Sequence, residues 1–279
     1  MKKKVSLKLI LVLLGLSFMG LKVRMEQIPR PAVPGSSIIY LPSGKYLKMT
    51  TFGFSSLAAD LIYIWAIQYY GDTAISDRFD YFARIFDVIS ELDPYYVDPY
   101  ETGALIAISD QQDIPLALKI LDMGLAKNPG QWIFPLEAGH YAQMYANDHE
   151  LAKAYFKKAM EIPGAPDVAK RLYAAASFKT ADLRTAWETW LEVYKTAPDD
   201  QIRKIASNHL YEVKAALDTA ALKSALETYK SRFGRLPLEL AQVVRAGILP
   251  SLPQDLDGKD YLYDPATGEI KTQVIPWKR

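Results

Sequence analysis

Four stretches of this 279-residue chain carry one short signature at almost one interval, and an internal period restricts a fold more tightly than composition does. Phe82-x-x-x-Phe86 leads to Asp93-Pro94, and Ala117-x-x-x-Leu121 to Asn128-Pro129. Ala152-x-x-x-Phe156-x-x-Ala159 leads to Ile162-Pro163, and Ala186-x-x-x-Trp190 to Ala197-Pro198. Subtracting the numbers of the leading residues (82, 117, 152, 186) gives steps of 35, 35 and 34. Residues four apart share one face of a helix. A small residue there admits a neighbouring helix closely, and the large one fills the space beside it. Proline just past the signature cannot continue the helix and turns the chain into the next unit.

Each such helix needs a partner before it. Leu57, Leu61, Ile64, Trp65, Gln68 and Tyr69 fall at helical spacing within residues 55–71, and residues 95–109, 131–146 and 166–178 supply the others. The turns inside the pairs are polar: Gly71-Asp72, Asp110 to Asp113, Asn147-Asp148-His149 and Lys179 to Asp182. This pattern resembles the tetratricopeptide repeat family over about half the chain. The best unit runs from Ala138-Gly139 to Ala159, with Asn147-Asp148, Ala152, Phe156 and Ala159 where that family has its turn and packing residues. The family's Trp, Leu-Gly and Tyr on the first helix are mostly replaced, and Phe82 stands where a small residue is usual. The resemblance implies an α-solenoid over residues 55–198, whose first helices line a groove for an extended peptide or a helix of a protein partner. Tyr100, Glu137, Tyr141 and Arg171 are the residues expected to face that groove. Tyr69, Tyr70, Tyr95, Tyr96, Tyr145 and Tyr173 also recur near first helices, where packing between repeats is the competing role.

Composition removes several function classes. With 33 Lys+Arg against 32 Asp+Glu there is no basic field to hold nucleic acid. Without cysteine there is no disulfide, thiolate metal site or Cys nucleophile. His140, His149 and His209 are scattered, and no phosphate loop, nucleophile elbow or zinc-binding helix occurs. The expectation is a non-enzymatic protein that needs no cofactor, metal or small-molecule substrate. A hydrolase is the least favoured reading.

The N-terminus opens with Lys2-Lys3-Lys4 and runs apolar from Leu9 to Leu21, between Lys8 and Lys22. A basic start before an apolar stretch predicts an export signal. The uninterrupted part, about 13 residues, spans about 20 Å; with Lys8 and Lys22 snorkelling, the usable span grows to about 28 Å. Phe18 where a small residue should precede the cut favours an uncleaved signal anchor (residues 1–24) over a cleaved peptide. Asp60 in the next helix is read as a surface residue. A single-pass protein of a bacterial inner membrane follows, N-terminus cytoplasmic and bulk periplasmic. Residues 25–54 then read as a Pro-rich spacer (Pro29, Pro31, Pro34) and a small hairpin, with strands at Ile38 to Leu41 and Lys45 to Thr51.

Residues 199–279 form a different module. Ile202, Ile205, Ala206, Leu210, Val213, Leu217, Leu222, Leu226 and Tyr229 predict one long helix, with Gly234 as its stop and a short helix opened by Pro237 running to Arg245. Tyr261 to Tyr263 and Glu269 to Thr272 flank the turn Asp264-Pro265-Ala266-Thr267-Gly268 as a hairpin. The tail resembles the C-terminal region of pseudopilins of type II secretion, in its Tyr229…Gly234…Pro237 run and its Tyr263-Asp264-Pro265-x-x-Gly268 turn. That resemblance implies a small α+β module, able to dock into a fibre or secretion complex. Asp255, Asp257 and Asp260 alternate around Gly258 as in a calcium loop, but lack its bidentate Glu, so an ordinary turn is the better reading. The whole pattern (anchor, spacer, groove, tail) predicts a mainly α scaffold or adaptor in the assembly of an envelope machine for pili, secretion or export.

Overall fold

The structure is a computed structural model that describes residues 7–26 and 41–275. It is mainly helical, with twelve helices and one two-stranded sheet among the described residues. The chain divides into two compact units, Met1–Pro99 and Tyr100–Arg279.

In the first unit the helices are α1 (Leu7–Glu26), α2 (Gly44–Thr50), α3 (Ser55–Gly71) and α4 (Phe82–Leu92). Helix α4 is the centre. It buries Phe82, Ile85, Val88, Ile89 and Leu92, a three-and-four spacing that makes one apolar face, and packs on both α2 and α3. The ten residues between α3 and α4 bring Phe79 and Phe82 to Tyr70, ring centroids 6.1 and 5.5 Å away, and Phe86 adds a third ring at 6.0 Å.

Two expectations fail in this unit. The hairpin expected before residue 55 is absent where it can be seen: Lys45 to Thr50 lie in a helix, and Ile38 to Tyr40 fall outside the described residues with the Pro-rich spacer. Ser43 decides the matter by capping α2, its side chain accepting from the Tyr46 N–H. Lys45 N–H donates to the Glu91 carboxylate at 3.1 Å, and Gly44 lies so close to Val88 O that a Cβ would sit 2.7 Å from it. The membrane anchor is also overturned. Among the described residues no helix is long and apolar enough to cross a membrane. Helix α1 has 20 residues, but Lys8, Lys22 and Arg24 fall inside it. The apolar stretch between the lysines is about 20 Å long against a hydrocarbon core of about 30 Å. The expected single-pass topology and its periplasmic orientation fall with the anchor.

Helix α5 (Val97–Ser109) crosses the boundary, and the second unit continues with α6 (Ile114–Lys127), α7 (Ile133–Met144), α8 (His149–Glu161), α9 (Asp167–Lys179), α10 (Leu183–Thr196) and α11 (Asp200–Phe233). From α6 to α11 each helix packs on the next. Three turns, between α5 and α6, α7 and α8, and α9 and α10, are built alike. Gln112, Asn147 and Ala181 adopt the left-handed region at φ 55°, 51° and 58°. The next residue, Asp113, Asp148 or Asp182, caps the second helix by accepting from the N–H of Leu116, Leu151 or Thr185. The same aspartates send their own N–H back to Ala107 O, Ala142 O and Ser177 O, each at 2.9 Å.

The signature residues Ala117, Leu121, Ala152, Phe156, Ala186 and Trp190 are all buried. Their counterparts on the first helices are small and buried too: Ala104, Gly139 and Ala174, then Ala107, Ala142 and Ser177. Gly139 shows why, since a Cβ there would lie 2.5 Å from the Phe156 ring. One cluster around Phe156 joins α7, α8 and α9, and a second around Trp190 joins α9, α10 and α11.

Helix α11 runs 34 residues and stops at Gly234, φ 72°, as its sequence predicts. The short helix α12 (Ala241–Arg245) begins four residues later than Pro237, because the Gln242 side chain takes the Leu238 N–H and holds a turn there. Strands β1 (Leu262–Tyr263) and β2 (Ile270–Lys271) pair antiparallel, Leu262 opposite Lys271 and Tyr263 opposite Ile270. Asp264 organises the turn between them, accepting from the Ala266 N–H and the Thr267 hydroxyl. Tyr261, Ile270, Leu240 and Val243 pack on Leu222, Leu226 and Tyr229 of α11.

Candidate partner-binding groove

The first helices α5, α7 and α9 carry the residues singled out for a groove, and the structure separates them. Tyr100 is a correction: only 6% of it is exposed, and its ring stands edge-on to Phe134 with centroids 5.8 Å apart. It is a core residue. The sequence holds the signal, because one 35-residue period carries Tyr100 onto Pro135, which is also buried.

Glu137, Tyr141 and Arg171 are half-buried. Oε2 of Glu137 is out of water and has no hydrogen-bond partner. Burial, and then the charge of Glu101, push its carboxyl up to about 7. The Tyr141 hydroxyl is pushed up to about 12 by burial, then by Glu137, Tyr145 and Glu101. Tyr141 also meets Tyr145 edge-on at 5.9 Å. These interactions bring Glu101, Glu137, Tyr141 and Tyr145 together. Sequence reasoning missed Glu101 and included Tyr145 only among the recurrent tyrosines; the residue needed was the neighbour of the one chosen. Arg171 stands apart, with Nε buried and unpartnered.

Elsewhere neighbouring helices and turns are joined by completed pairs. The Tyr155 hydroxyl donates to Asp122 at 2.9 Å, Lys153 reaches Asp182 at 3.6 Å and Thr180 at 3.2 Å, and Lys170 bridges to Glu192 at 2.6 Å. An open apolar hollow of about 750 Å³ lies over α6, lined by Ile114, Leu118, Met123 and Ala146.

The aspartate loop is a structural fastening. Asp255 is buried and accepts from the Tyr211 hydroxyl at 2.6 Å and the N–H of Asp257 and Lys259 at 2.9 and 2.8 Å. Burial alone would lift its carboxyl, but the Tyr211 bond and those two N–H groups outweigh it and hold it below the ordinary value. Asp260 is turned to Gln254 at 3.0 Å. Among the described residues no group of three His, Asp or Glu is placed to hold a metal ion. His140 is exposed, with its ring edge-on to Phe156 at 5.5 Å. His149, the first residue of α8, is half-buried with Nδ1 unpartnered. Asp60 is exposed on α3.

A scan against protein-family models finds no match, and a search of curated proteins finds none either.

Proposed function

We propose that the second unit is a tetratricopeptide-like stack of helix hairpins and that the protein is a non-catalytic adaptor, holding a segment of another polypeptide along α5, α7 and α9. The observation that carries this reading is the pair of polar atoms on those helices, Glu137 Oε2 and Arg171 Nε, both withdrawn from water and both unpartnered. A buried donor or acceptor left unmade costs about 1–3 kcal/mol, so such atoms favour a ligand that completes them. An extended peptide offers backbone N–H and C=O groups in alternation and can serve an acceptor and a donor along one trough. The three like turns at Asp113, Asp148 and Asp182 support the repeat itself, their 35- and 34-residue steps matching the family's interval. The C-terminal module fits the role of the polar end unit that a repeat stack needs.

Benzoylphenylalanine placed at Tyr141 or Arg171 and irradiated in cells should crosslink to a defined polypeptide, while the same group at exposed Lys157 on α8 should not. Equal capture from all three positions, or from position 157 alone, would end the reading. The pseudopilin-like alternative makes the tail the docking element. Leu238→Asp and Leu262→Asp alter exposed tail residues; loss of the position-141 crosslink in those variants would favour the alternative.

A further inference from the structure

We propose that the tip made by α2, α3 and the turn between them rests on an anionic lipid surface, its apolar side chains at the boundary of headgroups and acyl chains, without crossing the bilayer. Helix α3 carries the reason. It buries Ala59, Ala66, Tyr69 and Tyr70 and packs on α4. On its opposite face Phe54, Leu57, Leu61 and Ile64, three or four residues apart, are each more than half exposed. Asp60, at the margin of that strip, is the one charged residue of α3. Helix α4 of the same unit presents polar groups to water instead, Arg84 and Asp87 among them. A helix that is apolar on every side belongs in a protein interior or in lipid, and a continuous exposed apolar strip marks a contact surface.

The turn favours lipid. Phe52 is 91% exposed and Met49, in the last turn of α2, 81%. Phe52 also adopts the left-handed region, φ 49°, which is costly for a bulky residue, and leaves its ring in solvent where no packing offsets the strain. A protruding aromatic tip needs a matching hollow on a protein, whereas the boundary of a bilayer yields to it. Lys45 shares the Met49 face of α2, four residues before it, and Lys48 lies beside them; both are exposed. Ammonium groups on long stems can meet lipid phosphates while the tip sits deeper, and Asp60 at the margin stays among hydrated headgroups. Resting on a surface needs an apolar face and not the length of about 30 Å that a span requires. The face lies wholly in the first unit and is independent of the groove.

The chain has no cysteine, so a single one can be placed where it is wanted. Full-length Phe52→Cys, Leu61→Cys and Lys157→Cys, each checked by a circular-dichroism melt, are labelled with the environment-sensitive fluorophore NBD. They are then mixed with vesicles of phosphatidylcholine, alone or with phosphatidylglycerol added. On the anionic vesicles the labels at 52 and 61 should brighten about twofold or more and be quenched by lipids brominated along their acyl chains, while the label at 157, exposed on α8, does neither. The signal is local, so α1, whose apolar side chains are also exposed, cannot produce it by holding the chain to the vesicle. Lys45→Gln with Lys48→Gln should raise the lipid concentration giving half the position-52 signal about tenfold. Chain that does not bind, or that binds with the labels at 52 and 61 dim and unquenched, overturns the proposal. Equal signals with and without phosphatidylglycerol overturn the anionic surface. Brightening that grows with protein concentration in the absence of lipid would assign the face to a second copy of the chain instead.

Discussion

Burial and the nearby Glu101 make Glu137 hard to ionise in the folded chain, and that sets a direction for stability against pH. Its folded pKa of about 7 lies above the ordinary 4.5, so the folded state keeps a proton that the unfolded chain has released. Stability from this residue is therefore highest below about pH 4.5 and declines as pH rises through 7. Glu137→Gln should flatten that decline, so the variant gains on the parent in urea unfolding at pH 8 and not at pH 4. Asp255 behaves in the opposite sense: held low, it contributes above the ordinary carboxylate range and is lost in acid. Replacing it by Ala removes the acceptor that the Tyr211 hydroxyl and two N–H groups share and should cost about 3 kcal/mol in the same assay, with Tyr211→Phe costing about half as much. At this scale the sequence was partly legible. Glu137, Tyr141 and Arg171 could be chosen because they carry polar tips and lie on first helices. Tyr100 could not be told from them by type, since an amphipathic ring suits a core and a groove equally well. The unsatisfied state of Glu137 depends on what fails to reach it, and no pattern along the chain encodes that.

Among the elements, the ends of the second helices were readable from the sequence, because each stops directly before the dipeptide that carries the proline, at Leu92, Lys127, Glu161 and Thr196. The left-handed turn residue was not, since Gln112 and Asn147 are carboxamides and Ala181 has only a methyl; only the aspartate after each repeats in all three. Ala181 bears the steric cost of that conformation without a compensating side chain. Ala181→Gly should thus raise stability by about 0.5–1 kcal/mol, less than the full strain because glycine is freer when unfolded. The close contact of α7 with α8 predicts a sharper effect. Gly139→Ala drives a methyl into the enclosed Phe156 ring and should lower stability by about 2 kcal/mol, whereas Gly130→Ala, with open space around it, should change it by less than about 0.5 kcal/mol. The expected strand at residues 45–51 failed for a tertiary reason. Its alternation of Tyr46, Leu47 and Met49 suits either period, and the Ser43 cap with the Gly44 contact to α4 selects the helix.

For the whole molecule, the division at Pro99 and Tyr100 leaves Glu101, Glu137, Tyr141 and Arg171 in one unit. A chain of residues 94–279, which keeps all of α5, should unfold cooperatively by circular dichroism and give the same crosslinking pattern from position 141 as the full protein. A fragment that folds but has lost that pattern would place essential groups in residues 1–93. The mainly helical class was legible because periodicity repeats often enough to average out local error. The single-pass topology misled because it counted on Lys8 and Lys22 to snorkel and so lengthen the apolar run of about 20 Å between them, and no described helix is long and apolar enough to cross.

The recurring backward bond from each capping aspartate has a consequence for how such a chain can change size. Since every hairpin reverses by the same step and meets its neighbours through like surfaces, a second copy of residues 113–147 spliced ahead of Asp148 would find native contacts on both sides. The stack would lengthen by one helix spacing, about 8–10 Å, with no interior needing to be repacked. Length, in a molecule assembled this way, changes in whole steps, and each added step carries its own Glu137 and Tyr141.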